Sequence, residues 1–134
     1  MRSIILVVVV SVGACATAPP PAARDAEYET LCSNISAADR AQCPLMRWTR
    51  AVEDVEGGVA LRLGPTAPPP NEVERRARCH RAWMAHAPEN AMPRCPFGTP
   101  NLSIHAEADT LFLTSTDVAS ADEVRRRAHA AFDR

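Results

Sequence analysis

The densest set of potential ligands lies between Cys79 and Cys95, where His80, Met84, His86 and Met92 are interleaved with the two cysteines. Soft sulfur with imidazole suits copper. Helical spacing works against a local site, because His80 and His86 would stand about 120° apart around a helix and roughly 9 Å along it. His80 and Met84 do share a face, but it is the face predicted to be buried. The first reading of His80 is therefore a buried histidine with a local hydrogen bond, with no metal and no cofactor assigned. The second is a copper-binding accessory protein that draws on His80, Met84, His86 and Met92.

Other chemistry is thinly represented. His105 and Glu107 would share one face of a strand and offer an acid and a base, with Ser103, Asp109, Ser115 and Asp117 nearby. A small hydrolase would need these groups to converge in a closed pocket. No G-x-S-x-G, H-E-x-x-H, Walker or dinucleotide-binding pattern occurs. Haem attachment lacks its Cys-x-x-Cys-His, and no two cysteines have redox Cys-x-x-Cys spacing. The leading expectation is a non-catalytic binding or structural module, with no catalytic residue.

The elements that must position these residues follow a pattern that recurs. Cys43-Pro44-Leu45 returns as Cys95-Pro96-Phe97, Leu61-Arg62-Leu63 as Leu111-Phe112-Leu113, and Glu72 to Ala77 as Glu123 to Ala128, all at a spacing of about 51 residues. This predicts an internal ββα repeat with units 43–83 and 95–132. In the first unit, strands over 47–55 and 59–63 flank a Glu56-Gly57-Gly58 turn. In the second, Leu102, Ile104 and Ala106 alternate with polar residues, and Ala108-Asp109 turns into 110–115. Asn71 with Glu74, and Ser120 with Glu123, read as capping boxes opening two helices. Val73, Ala77, His80, Met84 and Ala87 form the buried face of one helix, and Val124, Ala128 and Ala131 that of the other, with the arginines mostly pointing away. Another helix is expected from Asp25 to about Cys32, then a short turn capped by Ser36. The fold class predicted is α+β: a two-layer sandwich with a four-stranded, mainly antiparallel sheet and helices on one face.

The amino terminus adds an address. Arg2 precedes an apolar run from Ile4 to Val12, too short to span a bilayer but suited to a signal peptide. Val12-Gly13-Ala14-Cys15 resembles the lipobox of bacterial lipoproteins. That resemblance implies a signal peptide over 1–14 and diacylglycerol on Cys15; proline-rich, aperiodic composition then reads as a tether over 15–23, and the remaining length as a single domain over 24–134. The resemblance also implies attachment to a membrane facing the periplasm, and the absence of Asp at position 16 points to the outer membrane. The alternative is cleavage at Ala14-Cys15-Ala16 and release of a soluble protein.

Composition fits this address. The net charge is −1, all 15 basic residues are arginine, and the aromatics are Tyr28, Trp48, Trp83, Phe97, Phe112 and Phe132. Nucleic-acid binding, which needs a basic footprint, is not expected; the expected partners are the membrane, through the anchor, and an envelope protein. Beyond Cys15 the cysteines form an even set, Cys32, Cys43, Cys79 and Cys95, expected to make two disulfides. Loop-closure entropy and the repeat favour Cys32 with Cys43 and Cys79 with Cys95. The competing pattern is Cys43 with Cys95 and Cys32 with Cys79. The arginine runs 75–81 and 125–127 read as a solvated face or as a surface for anionic headgroups.

Overall fold

A computed structural model describes residues 21–88 and 91–133. The signal peptide, Cys15 and the first part of the tether lie outside the described residues. The first helix, α1 (Pro21–Leu31), begins ahead of the expected Asp25. Pro21 stands at its first position, where a proline's fixed φ and missing N–H suit a helix start. Two short helices follow, α2 (Ala37–Ala41) and α3 (Leu45–Trp48). Ser36 caps α2 as expected, its Oγ accepting from the Asp39 N–H at 3.1 Å.

Two hairpins build the sheet. In the first, β1 (Thr49–Val55) pairs antiparallel with β2 (Gly58–Leu63) around a Glu56-Gly57 turn. Gly57 has φ 73°, a conformation that costs a side chain dearly, and Gly58 abuts the Leu113 carbonyl with no room for a Cβ. In the second, β3 (Ser103–Glu107) pairs with β4 (Thr110–Thr114). The strand order is β1-β2-β4-β3, antiparallel throughout, so the second strands of the two hairpins meet in the middle with Leu61 opposite Leu111.

Each hairpin is followed by a helix, α4 (Pro70–His86) after the first and α5 (Val118–Phe132) after the second. Each helix crosses to the other hairpin: α4 packs chiefly on β3 and β4, and α5 chiefly on β2 and β1. Val59, Leu61, Leu63, Ile104, Leu111 and Leu113 present the apolar face of the sheet, and Val73, Ala77, Val124, Ala128 and Ala131 close over it. The α+β sandwich is as the periodicity implies, as is the burial of Val73, Ala77, His80, Val124, Ala128 and Ala131, whereas Met84 is only half-buried and Ala87 falls beyond α4 as its cap. On the opposite face Arg62 pairs with Glu53 at 3.1 Å and donates to the Thr110 hydroxyl at 2.8 Å.

Three local expectations are corrected. β1 starts at Thr49, because Leu45 to Trp48 close a helical turn first, with the Arg47 N–H reaching the Pro44 carbonyl at 3.2 Å. α4 opens at Pro70 behind Pro69, without a side-chain cap, instead of behind Asn71. α5 is capped one turn early by Asp117, whose carboxylate accepts from the Ser120 N–H at 2.9 Å, so Ser120 lies inside the helix. In both helices another good starter stood just upstream of the predicted cap: proline at the first position in one, aspartate at the cap in the other.

The arginines are also reassigned. β3 is an edge strand, and an edge leaves backbone groups unpaired. Here α4 covers it: Glu74 accepts from the Ala106 N–H at 2.9 Å, Arg78 donates to the Ile104 carbonyl at 3.2 Å, and Arg81 donates to the Leu102 carbonyl. At the first hairpin, Arg125 of α5 donates to the Val55 and Gly58 carbonyls. These guanidinium groups do not simply face solvent; they satisfy carbonyls that the sheet leaves open.

Candidate functional site

The cysteines are not paired as expected. Cys32, at the end of α1, is bonded to Cys79 in the middle of α4 across 47 residues of sequence. Both are buried in a small satellite core with Ile35, against Tyr28 and Leu31. The expected Cys32–Cys43 and Cys79–Cys95 bridges are therefore absent. The physical reason is that α1 lies against α4, which carries Cys32 to Cys79 and away from Cys43.

Cys43 and Cys95 meet each other instead. Each precedes a proline that opens a helical turn, α3 in one case and the 3₁₀ turn Pro96–Gly98 in the other. The two Cys-Pro turns come together with their Sγ atoms 3.2 Å apart, both as thiols. His80, only 1 % exposed, joins them from α4 with Nε2 3.3 Å from Cys95 Sγ. Its Nδ1 lies 2.7 Å from the Arg40 carbonyl. A carbonyl only accepts, so Nδ1 carries a proton and donates it, and Nε2 is the nitrogen turned toward the sulfurs.

The ring is held firmly. Trp83 stacks on it at 5.6 Å between centroids, and Phe97 meets it edge-on at 5.7 Å. Arg40 itself is anchored, its guanidinium donating to the Ile35 and Cys32 carbonyls at 2.9 and 3.0 Å while lying over the Tyr28 ring. The disulfide region and the thiol site thus share one support.

The two thiols are unequal. The hydrogen bond from Cys95, helped by His80 and opposed by burial, lowers the Cys43 thiol to about 5. Cys95, which donates that bond and is also buried, is pushed well up and keeps its proton. The pair is a thiolate and its hydrogen-bonded thiol, with an imidazole beside them. Such a group can take a soft metal ion or attack an electrophile.

The other candidate ligands lie elsewhere. His86 sits 5.4 Å from the Tyr28 ring, in a groove of about 620 Å³ bordered by α1, α4 and the start of β3. Met84 lies against Gly98, and Met92 lines a depression of about 410 Å³ beside Cys43 and Cys95. Of the four copper candidates, only His80 enters the cluster and only Met92 borders it. His105 and Glu107 are exposed, and His105 faces Glu74 at 3.3 Å, with no closed pocket around them.

Reading each ligand against its sequence neighbours missed the trio. The usable clue was the pair of Cys-Pro motifs, 52 residues apart, together with a buried-face histidine where the other helix has Ala131. Among the described residues no helix is long and apolar enough to cross a membrane. Compared with protein families, curated proteins and solved structures, the chain finds no match.

Proposed function

We propose that this chain is an exported lipoprotein, anchored through Cys15 and facing the periplasm, whose body acts as a non-catalytic binding or structural module. The observation that supports export is the buried Cys32–Cys79 disulfide, a bond that persists in oxidising compartments and is rare in the cytosol. It agrees with the apolar leader and the Val12-Gly13-Ala14-Cys15 ending. The acyl chains of a lipidated Cys15 would supply a membrane anchor, at about 0.8 kcal/mol per buried methylene. The Pro-rich segment behind Cys15 would then hold the domain off the surface.

The test is metabolic labelling with a fatty-acid analogue, followed by amino-terminal analysis of the mature chain. Label is expected on the wild type and lost in Cys15→Ala, with unprocessed precursor accumulating. A wild-type mature chain that begins at Thr17 and carries no lipid would replace this reading with the soluble one.

A further inference from the structure

Cys43, His80 and Cys95 come from three separate segments, and their donor atoms all lie within 4.8 Å of one another. We propose that they form a binding site for a thiophilic divalent cation of the zinc class, held by Cys43 Sγ, Cys95 Sγ and His80 Nε2. The fourth position would open toward the depression that Met92 and Arg94 line.

Three features carry the assignment. The first is the histidine. Metal-bound imidazoles commonly donate their second ring N–H to a carbonyl or carboxylate, which fixes the tautomer and aims the other nitrogen at the ion. His80 makes that bond to Arg40, and Trp83 and Phe97 lock the ring plane.

The second feature is distance. Bonds of about 2.3 Å to sulfur and 2.0–2.1 Å to nitrogen, in tetrahedral directions, spread the donors to roughly 3.5–3.8 Å from one another. The Cys43–Cys95 and Cys95–His80 spacings of 3.2 and 3.3 Å need an expansion of only a few tenths of an ångström, and the third, Cys43 to His80, lies within 4.8 Å.

The third is charge. Two thiolates and a neutral imidazole bring two negative charges, which a divalent ion cancels. A monovalent copper ion would leave a net negative charge beside His80 and Cys95, which are 1 % and 4 % exposed. A divalent d¹⁰ ion cancels the charge of the pair fully, which copper(I) does not, so charge balance favours the divalent ion.

Loading balances without electron transfer. As the ion binds, Cys95 releases its proton to water, Cys43 being already a thiolate, and two metal–sulfur bonds and one metal–nitrogen bond form. Both sulfurs are then held as thiolates, while Cys32–Cys79 remains oxidised in the same molecule. This inference goes beyond the envelope reading and does not need the lipid anchor, so loss of lipid labelling and loss of metal binding would be separate failures.

The probe is Co²⁺, a spectroscopic stand-in for zinc, titrated anaerobically into the full-length chain after alkylation mapping has confirmed Cys43 and Cys95 as thiols. One equivalent is expected to bind, with thiolate-to-cobalt charge transfer in the near ultraviolet and intense visible bands of a tetrahedral ion, both displaced by Zn²⁺. Cys43→Ser should weaken binding more than about 100-fold, beyond what loss of a supporting partner does. Because Cys43 is only half-buried, that variant should keep the fold, checked by near-ultraviolet circular dichroism and an intact Cys32–Cys79 bond. His80→Gln should remove the nitrogen ligand and red-shift the visible bands. No charge-transfer absorption in the folded, reduced wild type would overturn the proposal. So would the same absorption in the Cys43→Ser/Cys95→Ser double variant, which would place the metal elsewhere.

Discussion

The helices α4 and α5 match at Glu72, Val73, Arg75, Arg76 and Ala77 against Glu123, Val124, Arg126, Arg127 and Ala128, and then part. Each buries a valine and an alanine against the sheet, Val73 and Ala77 in one, Val124 and Ala128 in the other. Each also carries one glutamate gripped by two arginines: Glu72 takes Arg75 and Arg76 at 2.9 and 2.6 Å, and Glu123 takes Arg126 and Arg127 at 2.7 and 2.5 Å. One turn further on, α4 has Cys79 and His80 where α5 has Ala130 and Ala131. What the two helices share builds the sandwich. What they do not share supplies Cys79 to the disulfide and His80 to the thiol–imidazole cluster, so of the two helices only α4 carries chemistry.

The largest test of that contrast removes the disulfide. Cys32→Ala/Cys79→Ala makes this part of α4 resemble α5, and the chain-entropy account of a bond closing 47 residues assigns it about 4 kcal/mol. A fall of that order in unfolding free energy is expected from denaturant titration. A change below about 1 kcal/mol would mean that the satellite core of Cys32, Ile35 and Cys79 is held by packing alone.

Next in size are the two valines. Val73 and Val124 are both fully buried, and truncation to alanine removes two methyl groups and leaves a small cavity. About 2 kcal/mol should be lost in each. Equal losses would sharpen the proposed repeat by showing that the helices pack equivalently. A difference above about 1 kcal/mol would break the equivalence at the core itself.

This comparison also explains what could be read from the sequence. The four strands, their turns and both buried helix faces were legible, because alternation and the 3.6-residue period report burial directly. The choice between the two disulfide patterns was not, because short loops favour Cys32 with Cys43 over the Cys32–Cys79 bond that forms. A roughly fourfold longer loop raises the closure cost by only about 1.2 kcal/mol. Packing α1 on α4, which puts Cys32 beside Cys79, outweighs that difference. The Cys43–His80–Cys95 cluster was hidden for a related reason, since its members come from three segments that only tertiary packing brings together. The helix starts were missed by a turn or less, where Pro70 and Asp117 stood ahead of plausible caps at Asn71 and Ser120.

A smaller effect separates the two helix starts. Asp117 caps α5 through its side chain, whereas α4 opens on Pro69 and Pro70 with no side-chain cap. Asp117→Ala should cost about 1 kcal/mol, and Asn71→Ala in α4 should cost close to nothing. Thermal unfolding of the two variants checks this. A matching loss at Asn71 would restore the sequence-based cap and erase the difference.

The smallest expected effect is in acid. Hydrogen bonds from Arg75 and Arg126 hold the Glu72 and Glu123 carboxyls below the ordinary carboxylate value, against the opposing effect of burial. A carboxyl that is more acidic when folded adds stability above its unfolded pKa of about 4.3, and that stability is lost as pH falls through the lower folded value. Glu72→Gln and Glu123→Gln should therefore each cost a few tenths of a kcal/mol at neutral pH and cost less as pH falls below about 4. The two should not be equal. Arg75 also donates to the Leu31 and Ser33 carbonyls at 3.0 and 2.9 Å, so it is fixed before Glu72 binds it, whereas Arg126 is 65 % exposed and makes its bonds to Glu123. A pre-positioned partner surrenders less side-chain entropy and is screened less by salt. The Glu72→Gln loss should accordingly be the larger and should persist at higher ionic strength. Equal, equally salt-sensitive losses would mean that the α1–α4 junction does nothing to strengthen the ion pair the two helices share.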